Sequence, residues 1–494
     1  MKITIEKINE VHIRVTSDDK GIEKELESFF TYEFPGARYT PAFRARLWDG
    51  LVRMYNTQKN TLYVGLLDYV IEFAKRNGYT VELLNDVNVR NGITSQQVAD
   101  FAKNLNPYGR GAPIEIRDYQ IDAVTCALDR ERVLLLSPTA SGKSFIIYTT
   151  LRWHLNQNRK CIIIVPTTSL VEQLYTDFED YSTANGFNVG AHCQKLYSGF
   201  SKVFDKDVLI TTWQSIFRQD KAWFSQFDVI FGDEAHQFKA NSLTSVMDKM
   251  ENVKYRIGTT GTIDNKKVHK LVLEGIFGPL HRVTTTKALM DSDRLAKLNI
   301  TSVILRYDEP TCKNIKGSIY QDEIDFIISH ERRNKFISNL ALTCTGNTLV
   351  LFQYVERHGK ILHDIIASKA HDGRKIFFVH GGVSTEVREE IRLGAEDEND
   401  AIIVASFGTF STGINLPSIE NVIFASPSKS KIRNLQSIGR GLRLKAGKAH
   451  CNLYDIADNL SYKKWTNHTL KHAAERYKIY AEEEFEVKLV EIKI

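Results

Sequence analysis

No C-x-x-C pair occurs among the six cysteines, Cys126, Cys161, Cys193, Cys312, Cys344 and Cys451. Their spacing therefore excludes both a zinc ribbon and a small disulfide-stapled scaffold. The chain also lacks any run of 18 apolar residues, and its opening MKITIEKINE has no secretory apolar core. These absences predict a soluble, cytoplasmic protein with reduced thiols and no membrane partner. Solenoid periods and low-complexity tracts are missing, which excludes a repeat array. Charge of one sign is not in excess: 65 basic against 60 acidic residues leave +5. That balance permits a polyanionic partner without arguing for one.

What is present is ordinary globular material. Hydrophobic residues make up 43% and charged residues 25% of 494, enough to offset chain entropy and to fill about three domains. KNLNPYGRGAP at 103–113 interrupts any periodic element and reads as a linker. Before it, 1–105 carries alternating strand-like runs (KITIEKI, VHIRVTS) and a helical stretch near 21–30, the pattern of a small α+β domain. After it, two series of short apolar strands alternate with helices. The first is VLLLS, CIIIV, VLIT, DVIFG and YRIG; the second is TLVLF, KIFFV, AIIVA, NVIFA and CNLYD. Continuous apolar strands between helices predict parallel sheets covered on both faces, hence an α/β chain with two tandem lobes at 113–285 and 286–460. The segment 281–325 reads as polar and irregular, and 461–494 as a helical tail.

The first strand runs into SPTASGKS, residues 137–144. Thr139, Ala140, Ser141 and Gly142 can wrap phosphates with backbone N–H groups, Lys143 can reach the β/γ oxygens, and the Ser144 hydroxyl can ligate Mg²⁺. Ser137 stands where the general pattern has its first glycine. Ninety residues after Lys143, the strand DVIFG ends in Asp233-Glu234-Ala235-His236. A carboxylate there lies on the ligand-binding edge of a parallel sheet, so Asp233 can serve the Mg²⁺ shell and Glu234 can orient and deprotonate water.

SPTASGKS followed by DEAH resembles the core of the superfamily 2 helicases and translocases, which implies two RecA-like doubly wound lobes and ATP with Mg²⁺ as cofactors. The remaining elements follow in the family's order. RDYQ (117–120) resembles its adenine-reading element, implicating Arg117 and Gln120, and His236 completes the DEAH group at the nucleotide. VPTTSLVEQ (165–173) and ITTWQS (210–215) resemble elements that hold a nucleic-acid backbone, implicating Pro166, Thr167, Thr211, Thr212 and Gln214. GTTGT (258–262) resembles the segment coupling the lobes. ASFGTFSTGINLP (405–417), with Gly413, and QSIGRGLR (436–443) resemble second-lobe elements that complete the site. The former has glycine and serine where many relatives carry an acid. In the latter, Gln436, Arg440 and Arg443 recur on one helical face, where a guanidinium could act as an arginine finger.

Hydroxyls and amides at strand ends can bind successive phosphates without reading sequence; the same residues serve equally as helix caps. In 37–56, ARYTPAFRARLWDGLVRMYN, Arg38, Arg44, Arg46 and Arg53 face one acid, Asp49, and interleave with aromatics. That mixture suits backbone binding with base stacking, Arg44 and Arg46 foremost, and suits equally a hairpin that packs its rings inward. FRARLWDGLVRMYN with LYVGLL resembles the amino-terminal domain of the bacteriophage UvsW helicases, and RYDEP to ERRNKF (306–335) resembles their second lobe. The resemblance implies a monomeric motor on branched or forked DNA and RNA–DNA hybrids, acting in the host cytoplasm in recombination, replication and repair. Composition and spacing alone reach an ATPase with a polyanionic track. A duplex translocase or remodeller without strand separation, an RNA helicase and an ATP-switched binding module stay open.

Overall fold

The computed structural model describes residues 1–494 except 86, 88, 89, 110, 198–202, 239, 240, 264–266, 372, 397, 410–418, 428, 429, 431–437, 440, 441 and 443–449. Two compact units divide the chain. One comprises Met1–Ser137 with Ser141–Thr284, the other Pro138–Ala140 with Thr285–Ile494. Among the described residues, no helix is long and apolar enough to cross a membrane.

The first unit begins with a four-stranded sheet, ordered Thr61–Tyr63, His12–Ser17, Lys2–Lys7, Thr80–Leu84. Alternation in the two central strands turns Ile3, Ile5, Ile13 and Val15 into a fully buried layer. Leu26 of the Lys20–Phe29 helix and Val70 of the Leu67–Asn77 helix close over that layer. Leu271, from a later helix (Lys267–Phe277), joins this same core.

The next sheet has seven parallel strands, ordered Cys193–Leu196, Val208–Thr212, Cys161–Val165, Val229–Asp233, Tyr255–Thr260, Arg132–Leu136, Leu280–Arg282. Its five inner strands are buried throughout except at Asp233. Helices cover both faces, as their unbroken apolar runs require. The second unit repeats the plan: Ile376–Val379, Ile402–Ser406, Thr348–Phe352, Asn421–Phe424, His450–Asn459, Lys297–Arg306, Val487–Lys493, again all parallel. The α/β class with two doubly wound lobes and a small α+β front domain is what the molecule has.

Three sequence expectations change. The front domain's sheet ends at Leu84, and the Ser95–Asn104 helix packs Val98 into the first lobe's core, so 1–105 is not one domain. The 281–325 segment contains a ten-residue strand, Lys297–Arg306, inside the second sheet. The tail is not purely helical: after His468–Glu482, the strand Val487–Lys493 pairs with Lys297–Arg306 and closes that sheet's edge. Within the linker, Tyr108–Gly109 pairs with Ala112–Pro113 in a minimal hairpin.

Candidate nucleotide and nucleic-acid site

The phosphate loop leaves the Arg132–Leu136 strand and turns directly into the Lys143–Leu155 helix. Its tightness demands unusual backbone: Ala140 has φ +65° and Gly142 φ +86°. A Cβ on Gly142 would lie 2.4 Å from Gln120 Nε2, so only glycine fits between the loop and that side chain. Gln120, 4% exposed, donates from Nε2 to the Ser141 carbonyl (2.8 Å) and accepts from the Arg117 backbone N–H (3.0 Å). The amide expected to meet a base edge here braces the loop from behind. The Arg117 guanidinium donates to the Tyr119 hydroxyl at 2.6 Å.

The acidic strand Val229–Asp233 is separated from the loop's strand by one neighbour, Tyr255–Thr260, and that neighbour joins the two motifs. Thr259 Oγ1 donates to Asp233 Oδ1 at 2.8 Å. Thr260 Oγ1 lies 3.0 Å from His236 Nδ1, and the Thr260 carbonyl accepts the Ser137 N–H at 2.8 Å. The GTTGT segment therefore links loop and DEAH inside the first lobe. Thr259 and Thr260 thus belong to the site, although GTTGT as a motif singles out neither.

Lys143 Nζ stands 3.5 Å from Glu234 Oε1, and His236 Nδ1 3.3 Å from Glu234 Oε2. Glu234 adopts φ +50°, ψ +48°, a left-handed backbone uncommon outside glycine that aims consecutive carboxylates at one place. Burial first, then the Glu234 charge, pushes the Asp233 carboxyl above its ordinary range, while Lys143 and Thr259 oppose the rise. Two acids thus share one lysine, an under-compensated negative site. Ser144 Oγ lies 2.9 Å from the Tyr181 hydroxyl; no sequence signal points to Tyr181. A hydroxyl and a carboxylate are hard oxygen donors of the kind Mg²⁺ takes one or two of, beside phosphate oxygens and water. The residues fit the ion.

At the neighbouring strand ends, Thr167 caps the Thr168–Ser182 helix, accepting from Leu170 N–H at 3.4 Å, and Pro166 precedes it half-buried. Thr211 is fully buried and donates to the Leu196 carbonyl at 2.7 Å, so its hydroxyl is spent inside the sheet instead of facing a strand. Thr212 Oγ1 meets Ser215 Oγ at 3.0 Å, and Gln214 is exposed. Arg44 and Arg46 are exposed on the front domain. Gly413, Gln436, Arg440 and Arg443 lie outside the described residues.

The comparisons with known proteins agree along the whole chain. Residues 2–84 match the family described as DNA helicase UvsW, N-terminal; 113–265 match Type III restriction enzyme, res subunit; 331–445 match Helicase conserved C-terminal domain. The ATP-dependent DNA helicase uvsW of Enterobacteria phage T4 is 34% identical over 492 residues, spanning 96% of each chain. The crystal structure of T4 UvsW aligns over 100% of both chains with a TM-score of 0.54 at 32% identity. The Type ISP restriction-modification enzyme LlaBIII, solved bound to DNA, shares the fold with a TM-score of 0.57 at 16% identity, over 85% of this chain and 34% of that one. With an ATP-site geometry of this kind and a relative this similar from end to end, the chain belongs to the UvsW-like superfamily 2 helicases.

Proposed function

We propose that this superfamily 2 helicase hydrolyses ATP to remodel branched DNA, by regressing forks, migrating branches and unwinding RNA–DNA hybrids, as a monomer in the host cytoplasm. The observation that carries the catalytic part is the bridging strand Tyr255–Thr260, which ties the phosphate loop to Asp233 and His236. The loop N–H groups and Lys143 bind the phosphates. Ser144 and Asp233 would hold Mg²⁺, which when bound would neutralise charge on the phosphate oxygens. Glu234 orients the attacking water and accepts its proton, while His236 and Lys143 hold that carboxylate in place. Arg440 and Arg443 are proposed to supply the finger, with Gln436 and Gly413 completing the nucleotide site, and Arg117 with Gln120 supporting the loop from the adenine side.

The nucleic-acid part is supported by the UvsW-type front domain and by the T4 relative, an ATP-dependent DNA helicase. Pro166, Thr167, Thr212 and Gln214, with the Thr211 backbone, are proposed to touch the sugar–phosphate chain. Steady-state ATP turnover with linear, forked, four-way and R-loop substrates, paired with strand separation of a labelled fork, tests the reading. Stimulation by branched DNA with ATP-dependent unwinding is expected. Turnover with movement along duplex but no strand separation would make the protein a translocase, and binding without movement a switch.

A further inference from the structure

We propose that the 37–53 segment of the front domain is a junction wedge: Leu47, with Phe43 in the same cavity lining, packs against the last base pair at a DNA branch point, while Arg38, Arg44 and Arg46 hold the phosphates of the diverging strands. The proposal rests on the branched-DNA reading and names the part of the surface that meets the branch.

The segment is built to present a tip. Ala37–Tyr39 forms one turn, and Pro41–Arg44 a second that Thr40 caps through its hydroxyl to the Phe43 N–H. Arg46 then takes a left-handed φ of +57°, and the Leu47 N–H returns to the Ala42 carbonyl at 2.9 Å. This reversal throws the Leu47 side chain outward, 83% exposed, and Tyr39 at 71% and Phe43 at 37% are exposed on the two preceding turns. Single exposed apolar residues need no explanation, but three within one short segment call for one.

The base of the tip is fixed. Ala37 is buried, Trp48 Nε1 donates to the Leu51 carbonyl at 2.9 Å, and the indole meets the Phe34 ring edge-on at 5.5 Å. Gly50, with φ +80°, packs so closely that a Cβ would lie 3.0 Å from both Ala37 and Phe43. Of the two readings open to this aromatic segment, the indole and the Phe43 ring edge that meets Gly50 follow the inward-packing one, while Tyr39 stays exposed.

Charge selects the occupant. The segment borders an open cavity of about 800 Å³ whose lining includes Arg38, Arg44, Arg46 and Arg53 against the single acid Asp49. Asp49 is committed to Arg53 at 2.5 Å. Among the described residues, Arg38, Arg44 and Arg46 have no carboxylate partner; their one side-chain hydrogen bond is Arg44 Nε to the Arg38 carbonyl. Apolar side chains ringed by unpaired guanidiniums match a nucleic acid at the place where bases become accessible, with phosphates on either side.

The test uses the full-length protein, a fork carrying 2-aminopurine beside the branch, and a linear duplex of the same sequence. Wild type is expected to raise the 2-aminopurine fluorescence on the fork. Leu47→Ser, at an exposed site, should keep the far-ultraviolet spectrum, melting temperature and DNA-free ATP turnover. It should lose the fluorescence rise and about tenfold of the fork-over-duplex preference, the worth of one buried leucine side chain. Arg38→Ala/Arg44→Ala/Arg46→Ala together should weaken fork binding and reduce its salt slope by about one for each phosphate left without its arginine. A wild-type fluorescence rise and preference in Leu47→Ser overturns the wedge alone. If the arginine variant also binds forks with wild-type affinity and salt slope, the front-domain DNA reading falls with it, and the patch faces a protein.

Discussion

Each lobe carries carboxylates in its parallel strands, fully buried at Asp455 and Asp458 in the second and half-buried at Asp233 in the first, and the two lobes treat them in opposite ways. In the second, Asp458 accepts from Arg333 Nε at 2.7 Å and from the Tyr307 hydroxyl at 2.8 Å, with both members of the ion pair fully buried. Asp455 is likewise matched by Arg476 and the Tyr480 hydroxyl. In the first, Asp233 accepts from the Thr259 hydroxyl and the Glu234 backbone N–H and shares Lys143 with Glu234. A guanidinium fork neutralises a buried acid and fixes it. A hydroxyl, a backbone N–H and a shared ammonium give it no guanidinium of its own. Acids with their own guanidinium hold a lobe together; on the proposed reading, the Asp233–Glu234 pair is where a cation and phosphates would complete the charge balance.

The largest expected effect removes the chemistry from the Asp233–Glu234 pair. Glu234→Gln keeps the shape and leaves Asp233 in place, so ATP turnover should fall about 10²–10⁴-fold while nucleotide binding stays near wild type. Lys143→Ala should lose both turnover and affinity. Rapid-mixing turnover beside equilibrium nucleotide binding checks this; wild-type turnover in Glu234→Gln would remove it from the base role.

Next in size is the matched acid. Asp458→Ala strands Arg333 in the interior, and breaking such a pair costs about 3–5 kcal/mol. Denaturant unfolding should report that loss. Asp233→Asn, by contrast, should unfold close to wild type while hydrolysing almost no ATP. Equal destabilisation by the two would abolish the distinction.

The lobes can also be compared through their buried histidines. Burial, then the nearby Arg159, pushes His154 down to about 3, and burial holds His358 well below its ordinary value. Both are neutral when folded and take up a proton once unfolded. The stability they support is complete above pH 6.5, the ordinary histidine value, and for His154 is lost as pH falls from there toward 3. Each contributes up to about 1.4 kcal/mol per pH unit in that window. Stability measured from pH 7.5 to 5 should therefore slope less in His154→Gln than in wild type; an unchanged slope would place the proton elsewhere.

How much of this is readable depends on whether a function needs contiguous residues. The five inner strands of the first sheet are apolar because both faces are covered, and all five stand out. CQKL at 193–196 and VKLVEIK at 487–493 are edge strands with partly exposed faces, so their composition resembles loop. KLNITSVILR is hidden by its exposed polar start. The phosphate loop and DEAH are legible because backbone wrapping and metal shells demand residues in a row. The role of Thr259 and Thr260 is not, because it depends on which strand lies between two others. Gln120 draws attention for its amide, yet only packing assigns that amide to Ser141.

The smallest expected effect tests the same contrast at a single hydroxyl. Thr259→Val and Tyr307→Phe each delete one donor from a strand carboxylate, at Asp233 and Asp458 respectively, with little change of shape. Asp458 keeps two guanidinium hydrogen bonds from Arg333, so Tyr307→Phe should cost about 1 kcal/mol of stability and leave ATP turnover untouched. Asp233 keeps only the Glu234 backbone N–H and the shared Lys143 charge. Without Thr259 its carboxyl gains further proton affinity and loses its fixed orientation, so Thr259→Val should slow turnover about tenfold, the worth of one hydrogen bond to a charged group. Thr259→Ser returns the hydroxyl and should recover most of the rate, which a purely structural role for the methyl group would not allow. If Thr259→Val turns over ATP as wild type does, the bridging strand positions the backbone alone, and the contrast between the two acids narrows to their cations.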